Sequence, residues 1–600
     1  MAERYVATEH PRPETACQSL DHTLCQGSTD SDRKTISEDE FRKLVSSLGF
    51  EMTPKDQSDY FALIQEMEDE VLDVDDLPEY VDPVLVPSDA DPLSSRKYYA
   101  PEKKDNPFNA WSHRFELKDS KAVATGILAG RTVALKDTVS VAGIPLTLGT
   151  EPYNLSKDTP YPIPTVDAPV VTRIIESGGV IAGTGTCEYY CMSGLSDTSA
   201  TGPVNNPWLP GYSSGGSSSG CGVLTALKFV KAWREKRGIP VGDLGEGVDL
   251  AIGGDQGGSI RLPAAYCGIY GLKPTHGLVP YTGIGALHPI ADHVGPMAGS
   301  LSDTALLLSA IAGYDGLDPR ASPNTPLRAN VPAYHELLDN AIADKKSRGE
   351  WSPTTAGRGL RVGVLKEALE LPDMDPQVLE VVRNAAQKFE RLGATVVDVS
   401  IPLHRKGGSI WTACMRGSVA EIFLDSKAPD LPSYTSTSVL PATLDQAWYD
   451  KVNIASPMVV TAVLGSAYLS NTERFPQRYR NKALMHAVQL RAAYDKALTE
   501  QVDVLLLPVT PSVAPPHHTR PDFGVLDMYR FNLGVSGNTG PFNVSGHPAL
   551  AMPGGWGTAS DSSKGKLPVG IQIVGKHNDE AGVLLAGSIL EVAGLGLDDE

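Results

Sequence analysis

The chain has 600 residues, 52 basic against 72 acidic, and a net charge of −20. That balance disfavours nucleic acid as a partner, because such binding draws its affinity from Lys and Arg neutralising phosphates. The length exceeds one ordinary core, so two or three structural units are expected, and 41% hydrophobic residues suffice to fill them.

Residues 1–34 are polar and without apolar periodicity, and read as a disordered arm. The opening MAERYVATEHPRPE lacks the apolar stretch of a signal peptide. No run approaches the ~20 apolar residues of a membrane span. Seven cysteines, odd in number and scattered, read as reduced thiols of a cytoplasmic protein. No spacing suits a metal site, and neither metal nor cofactor is expected.

A helical segment is expected over 35–106. Ser37 and Glu40 form a capping-box pattern, with Phe41, Leu44, Val45 and Leu48 on one face. Thr53-Pro54 starts a second helix through YFALIQEM. SEDEFRKLV before an acidic stretch hints at an EF-hand, but the alternating Asp/Asn loop with its central Gly is missing. PEYVDPVLVPSDADP (78–92) reads as an extended crossing segment.

Short apolar runs then alternate with helical stretches. RTVALKD (131–137) reads as a strand, and APVVTRIIESGGVIAGTGT (168–186) as helix, stop and strand. LRVGVL (360–365) and the segment 378–402 repeat that logic, and DVLLLPV and PVGIQIVG are late strands before a helix over 579–593. The alternation predicts an α/β fold with a wound, mostly buried sheet. The main core is placed over 107–321 and 470–600, with a smaller inserted α/β subdomain over 322–469.

Nucleotide motifs are incomplete. GTGTCE and GGDQGG lack the GxGxxG spacing, and no GxxxxGK[ST] occurs. GSSSG (216–220) matches G-x-S-x-G at Ser218, but no buried strand precedes it as a nucleophile elbow requires. By composition alone GYSSGGSSSG (211–220) reads as a flexible linker; the other reading is a constrained turn in which one serine does chemistry. Lys136 ends an apolar strand: it either snorkels to solvent or is buried and serves as a general base. In GGDQGGSIRLP, the backbone N–H groups of Gln256 through Ser259 can converge into an oxyanion nest with a nucleophile at its edge. A plain Gly-rich turn is the other reading.

Taken together, VALKD, GGSSSG and GGDQGGSIRLPAAYCGIYGLKPTHGLVP resemble the signature of the amidase signature family. Weaker matches run through GPVNNPW, HVGPMAGSLSDTALLLSAIAGYDGLDPR, PFNVSGHPALAMP and LPVGIQIVG, so the resemblance extends from about residue 107 onward. The resemblance implies a large mixed central sheet flanked by helices on both faces, beside the N-terminal helices. It implies Ser259 as nucleophile, Ser217 as a relay serine on a cis peptide bond, and Lys136 as base. Gln256, Gly257, Gly258 and Ser259 would supply oxyanion N–H groups, and Asp255 and Arg261 would brace the loop. The segment CEYYCMSG resembles the one lining the acyl site, which points to Tyr190, Cys191 and Met192, with Trp411 and Phe542 as further aromatic walls.

The implied activity is hydrolysis of small aliphatic or aryl carboxamides to acid and ammonia through an acyl-enzyme. The alternatives are carbamate or aryl-acylamide hydrolysis, an inactive binding protein, and an amidotransferase component of glutaminase type. The N-terminal segment looks like that of nitrile-pathway amidases, which are homodimers, so a homodimer through that segment is expected. One departure stands out: Ser217 and Ser259 are farther apart than is usual in the family. The excess lies in 224–247, read as an extended helix and a Gly/Pro return loop, either a surface insertion or a rim or dimer contact.

Overall fold

The computed structural model describes residues 35–600 except 76, 79, 88–90, 157–158, 418, 420–443, 471–473, 477, 519–522, 595–596 and 598–600. The expected disordered arm, 1–34, lies outside the described residues. The chain divides into Met1–Asp82 and Pro83–Glu600.

In the first unit, the Glu38–Ser47 helix begins at a reciprocal capping box. Ser37 Oγ accepts from Glu40 N–H at 3.3 Å, and the Glu40 carboxylate accepts from Ser37 N–H at 2.9 Å. The Pro54–Asp75 helix follows Thr53, whose Oγ accepts from Asp56 N–H at 3.2 Å. Phe41 and Phe61 meet between the two helices, with ring centroids 5.6 Å apart.

The second unit is built on one eleven-stranded mixed sheet. Its strands are β1 (Trp111–Leu117), β2 (Thr132–Lys136), β3 (Val180–Gly185), β4 (Leu250–Asp255), β5 (Tyr270–Lys273), β6 (His293–Ala298), β7 (Arg361–Leu365), β8 (Thr395–Val399), β9 (Val504–Pro508), β10 (Ala549–Thr558) and β11 (Lys566–Val574). They are ordered β1-β3-β2-β4-β6-β5-β10-β11-β9-β7-β8. Helices cover both faces, and every residue of β4, β5, β6 and β9 is buried, as expected of strands closed off from water on both sides. The segment 322–469 gives β7 and β8 to this same sheet, β7 pairing in parallel with β9. Arg96, ahead of β1, is bound by the Asp167 carboxylate at 2.7 and 2.8 Å, which ties the chain near residue 96 to the main body.

Two features place the site. Strands β2 and β4 are parallel neighbours, with Val133 opposite Leu250 and Leu135 opposite Ile252, so Lys136 and the end of β4 reach the same rim. The 224–247 stretch continues the Ser219–Lys236 helix before a return loop. Its Trp233 packs edge-on to Trp208 at 5.2 Å and lies 5.6 Å from Trp556 of β10, so the extension is anchored to the body. Among the described residues, no helix is long and apolar enough to cross a membrane.

Candidate active site

The Gly/Ser stretch is among the most enclosed backbone of the chain: residues 212–220 are all buried. Each of its serines is committed. Ser213 Oγ accepts from Gly215 N–H at 3.0 Å, and Ser214 Oγ donates to the Val204 carbonyl at 2.9 Å. Ser218 Oγ donates to the Gly254 carbonyl at 3.1 Å and accepts from Gly254 N–H at 3.2 Å. Ser219 Oγ donates to Glu188 at 2.9 Å. The stretch is constrained backbone and not the linker its composition alone suggests: its polar groups find partners within the fold, and order follows from that. The Gly216–Ser217 peptide bond is cis.

Lys136 does not snorkel; it is 1% exposed. Its Nζ donates to Ser217 Oγ at 2.9 Å and reaches the Gly254 carbonyl at 3.5 Å. A Cβ built on Gly254 would lie 3.6 Å from that amine, in ordinary contact. Next to it, Asp137 is buried and accepts from Ser112 Oγ at 2.6 Å, from Thr147 N–H at 3.2 Å and from Thr147 Oγ, while burial pushes its carboxyl above the usual range.

The turn after β4 is braced from below. The buried Asp255 carboxylate is gripped by Arg261 through Nε and a terminal nitrogen, both at 3.0 Å. Asn543 donates to the Asp255 carbonyl and carboxylate, each at 2.8 Å. Although burial raises it, Arg261 and Asn543 bring the Asp255 carboxyl down to about 2. The same carboxylate accepts from Gly258 N–H at 2.7 Å and Ile260 N–H at 3.1 Å. This corrects one expectation: the Gly258 N–H is spent on Asp255, leaving Gln256, Gly257 and Ser259 as the turn's candidate oxyanion donors. Gly258 has φ +142°, and a Cβ there would collide with Thr539. Ser218 N–H donates to the Ser259 carbonyl at 3.2 Å, so the two serine-bearing turns are joined directly.

Ser259 faces a cavity whose wall also carries Cys191, Met192, Gln256, Gly257 and Trp411. Trp411 Nε1 donates to the Gln256 carbonyl at 2.8 Å, and its ring covers Gly257. Two expected wall residues lie elsewhere. Tyr190 packs into a separate core with Leu146, Leu148 and Val459, its hydroxyl accepting from Asn154 at 2.9 Å. Phe542 is fully buried against Tyr494, with ring centroids 4.8 Å apart. Residues 190–192 form an irregular turn, with φ +46° at Tyr190 and +59° at Cys191, so successive side chains diverge. Leu262, Leu287, Met415, Arg416, Met458 and Asn532 also line the cavity. Leu262 lies in the Ser259 segment itself, whereas the others come from distant segments that no local pattern marked.

Cys191 has an unusual setting. The Cys187 thiol beside it, together with Lys136 and Ser217, holds its thiol down to about 6 against the burial that raises it. Glu188, missed in the sequence, is fully buried and accepts from Thr198 N–H at 2.8 Å, Thr198 Oγ at 2.7 Å and Ser219 Oγ; burial pushes its carboxyl up to about 7.

A buried lysine amine thus donates to a serine hydroxyl, and that serine's turn is joined through backbone to a second serine on a turn rich in N–H groups, an arrangement chemically able to move a proton and to bind an oxyanion. A family model described as Amidase matches residues 109–232 and 245–584, and the chain belongs to this family. It is an enzyme of the amide-hydrolysing class with the amidase signature fold. It is 34% identical over 505 residues to an enantioselective amidase of Rhodococcus rhodochrous, covering 83% of this chain and 86% of that one. It is 32% identical over 460 residues to a component of the glutamyl-tRNA(Gln) amidotransferase of a Synechococcus strain, covering 76% and 81%. The native peptide amidase of Stenotrophomonas maltophilia superposes with a TM-score of 0.55 at 26% identity, covering 78% and 83%.

Proposed function

We propose that the protein hydrolyses small aliphatic or aryl carboxamides to the carboxylic acid and ammonia through a Ser259 acyl-enzyme. The observation that carries this reading is the 2.9 Å contact from Lys136 Nζ to Ser217 Oγ, in a buried turn hydrogen-bonded to the backbone of Ser259.

In the proposed sequence, Ser259 Oγ attacks the amide carbonyl carbon and a C–O bond forms. The Ser259 proton passes to Ser217 Oγ while Ser217 passes its own to the Lys136 amine, which acts as the base. The oxyanion rests on the N–H groups of Gln256, Gly257 and Ser259. As the C–N bond breaks, the relay returns the proton to the departing nitrogen. Water then attacks the ester by the same route, the Ser259 C–O bond breaks, and the acid leaves. No step needs a metal or organic cofactor.

An acyl group that is apolar is favoured by Met192, Leu262, Leu287, Trp411, Met415 and Met458 on the cavity wall. The likeness to the Rhodococcus amidase supports a free-standing amidase, whereas that to the amidotransferase component is the basis of a second reading, ammonia supply within a complex. Ammonia release from simple amides by the isolated chain favours the first, and activity restricted to glutamine the second. A panel of aliphatic amides, aryl amides, anilides and carbamates tests both and separates the carbamate and aryl-acylamide alternatives.

The assembly is proposed to be a homodimer through the N-terminal helices. Leu63, Met67, Val71 and Val74 recur at helical spacing on the Pro54–Asp75 helix and are 47–67% exposed. Mass measurement in solution, with Met67→Glu as the disruptive variant, tests this. A cytoplasmic location is supported by the five described cysteines, all free thiols.

A further inference from the structure

Away from the cavity, the fold gathers a second group of ligand-bearing side chains. Asp495 lies on the Arg478–Glu500 helix, His547 between the Gly540–Ser545 helix and β10, and His577 just after β11. The histidines are 52 and 82 residues from Asp495 in the sequence, so no local spacing announces the cluster. Asp495 Oδ1 is 3.1 Å from His547 Nε2 and 3.2 Å from His577 Nδ1. One ligand-capable atom of each residue falls within 4.8 Å of the other two.

The far sides of both rings are held by a single residue. His577 Nε2 is 2.9 Å from the Ser545 carbonyl oxygen, and His547 Nδ1 is 3.1 Å from Ser545 Oγ. A carbonyl oxygen only accepts, so His577 Nε2 carries the proton of its contact. In the neutral ring Nδ1 is then a bare lone pair, and it faces a carboxylate oxygen that also only accepts. Two acceptors at 3.2 Å need a positive species between them. Either a proton on Nδ1 or a bound cation meets that need.

The arrangement has the features of a metal site. Ligands held about 2.0–2.1 Å from one ion lie about 2.8–3.4 Å apart in octahedral or tetrahedral geometry, the range into which both Asp495–His separations fall. An outer hydrogen bond that fixes each imidazole is the usual second contact of a ligating histidine, and Ser545 provides both. His547 is buried, while the side chains of His577 and Asp495 are 13% and 45% exposed, which leaves an entry path and room for water ligands. Two cationic side chains are close by: Arg491 Nε is 3.7 Å from Asp495 Oδ2, and Lys273 Nζ donates to the His547 carbonyl at 2.6 Å. With one carboxylate and two imidazoles, the donor set favours a borderline transition ion over calcium or magnesium, which take oxygen ligands.

We propose that Asp495, His547 and His577 form a structural binding site for a divalent transition-metal ion of the Zn2+ type. The ion ties together the Arg478–Glu500 helix, the turn into β10 and the loop after β11. The Gly540–Ser545 helix, whose Ser545 orients both rings, also carries Asn543, which holds Asp255 beneath the turn of Ser259. The site therefore braces the support of the catalytic turn without entering the cavity. It departs from the expectation of no metal that the sequence spacing supports.

The test uses the full chain, stripped with a chelator and titrated with Zn2+ against a chromogenic competitor, and with Co2+ followed by its visible absorption. The expected result is one tight ion per chain, a rise in melting temperature on Zn2+ addition, and nitrogen-ligand Co2+ bands. His577→Ala and the near-isosteric Asp495→Asn weaken Zn2+ binding at least about 10-fold and lose the thermal shift. Circular dichroism checks that both variants fold, and Asp495→Asn carries the test if His577→Ala does not. Absence of stoichiometric binding, or binding equally tight in the folded variants, overturns the site and leaves a proton-linked Asp–His cluster. Amide turnover is not the readout, so failure here is distinct from failure of the proposed reaction.

Discussion

Lys136 Nζ and Ser217 Oγ lie 2.9 Å apart, at the end of β2 and at a cis peptide bond in a turn 81 residues later. Both residues are buried: Lys136 is 1% exposed and Ser217 fully enclosed. If the pair forms the proposed relay, Lys136→Met, which keeps the buried stem, lowers kcat by about 10²–10⁴-fold with an unchanged circular dichroism spectrum. Steady-state kinetics on one amide decide this. A purely structural lysine would instead lower melting temperature and leave the kcat of the folded fraction at the parent value.

The turn of Ser259 makes a separate prediction. Gly258 has φ +142° and no room for a Cβ beside Thr539. Gly258→Ala costs about 1–3 kcal/mol of stability from the backbone conformation and contact, and it lowers kcat more than it raises KM because the donors flanking it shift. Urea melts and paired kinetic constants measure the two effects.

Cys191 gives a chemical handle on the site. Its thiol is held down to about 6 by Cys187, Lys136 and Ser217, and it lies on the wall shared with Ser259. A small methanethiosulfonate is expected to inactivate the enzyme at a rate that rises through about pH 6 and then levels, since the thiolate is the reacting form. Dithiothreitol restores activity, and Cys191→Ala resists the reagent. A rate still climbing above pH 8 would mark an ordinary thiol and contradict this setting.

Glu188 predicts a pH dependence of stability with a definite sign. Burial raises its carboxyl from 4.5 to about 7, so the folded state holds the proton more tightly than the unfolded chain. Stability from this group is complete below about pH 4.5 and lost as pH rises through about 7, on the order of 3 kcal/mol in all. Glu188→Gln removes that component. Urea melts at pH 5 and pH 8 are expected to differ less in the variant than in the parent; an unchanged difference counts against the assignment.

What the sequence disclosed follows physical lines. The strands β2, β3, β7, β8, β9 and β11 are short apolar runs beside helical stretches, and all were legible. Strands β1, β5, β6 and β10 were not read as strands: HVGPMA and ALAMPGGWGT hold Gly, Pro and His that spoil a strand pattern, and their pairing across the sheet supplies the order. Lys136 was visible as a strand-end residue, but its burial was not, because β3, β4 and the Gly/Ser turn that enclose it are distant in sequence. The brace of Asp255 by Arg261 was implied by the family resemblance and not by spacing, and its partner Asn543 comes from 288 residues away. Tyr190 and Phe542 were misplaced because an irregular turn and a core helix give no periodicity from which to read side-chain direction.

In the proposed reaction Ser259 is the attacking residue. A fluorophosphonate reagent, followed by peptide mapping by mass spectrometry, tests it most directly. One phosphonyl group per chain is expected, on Ser259, with loss of turnover in step with labelling and no label on Ser259→Ala. Labelling of Ser218, or a Ser259→Ala variant that still releases ammonia at the parent rate, would contradict it.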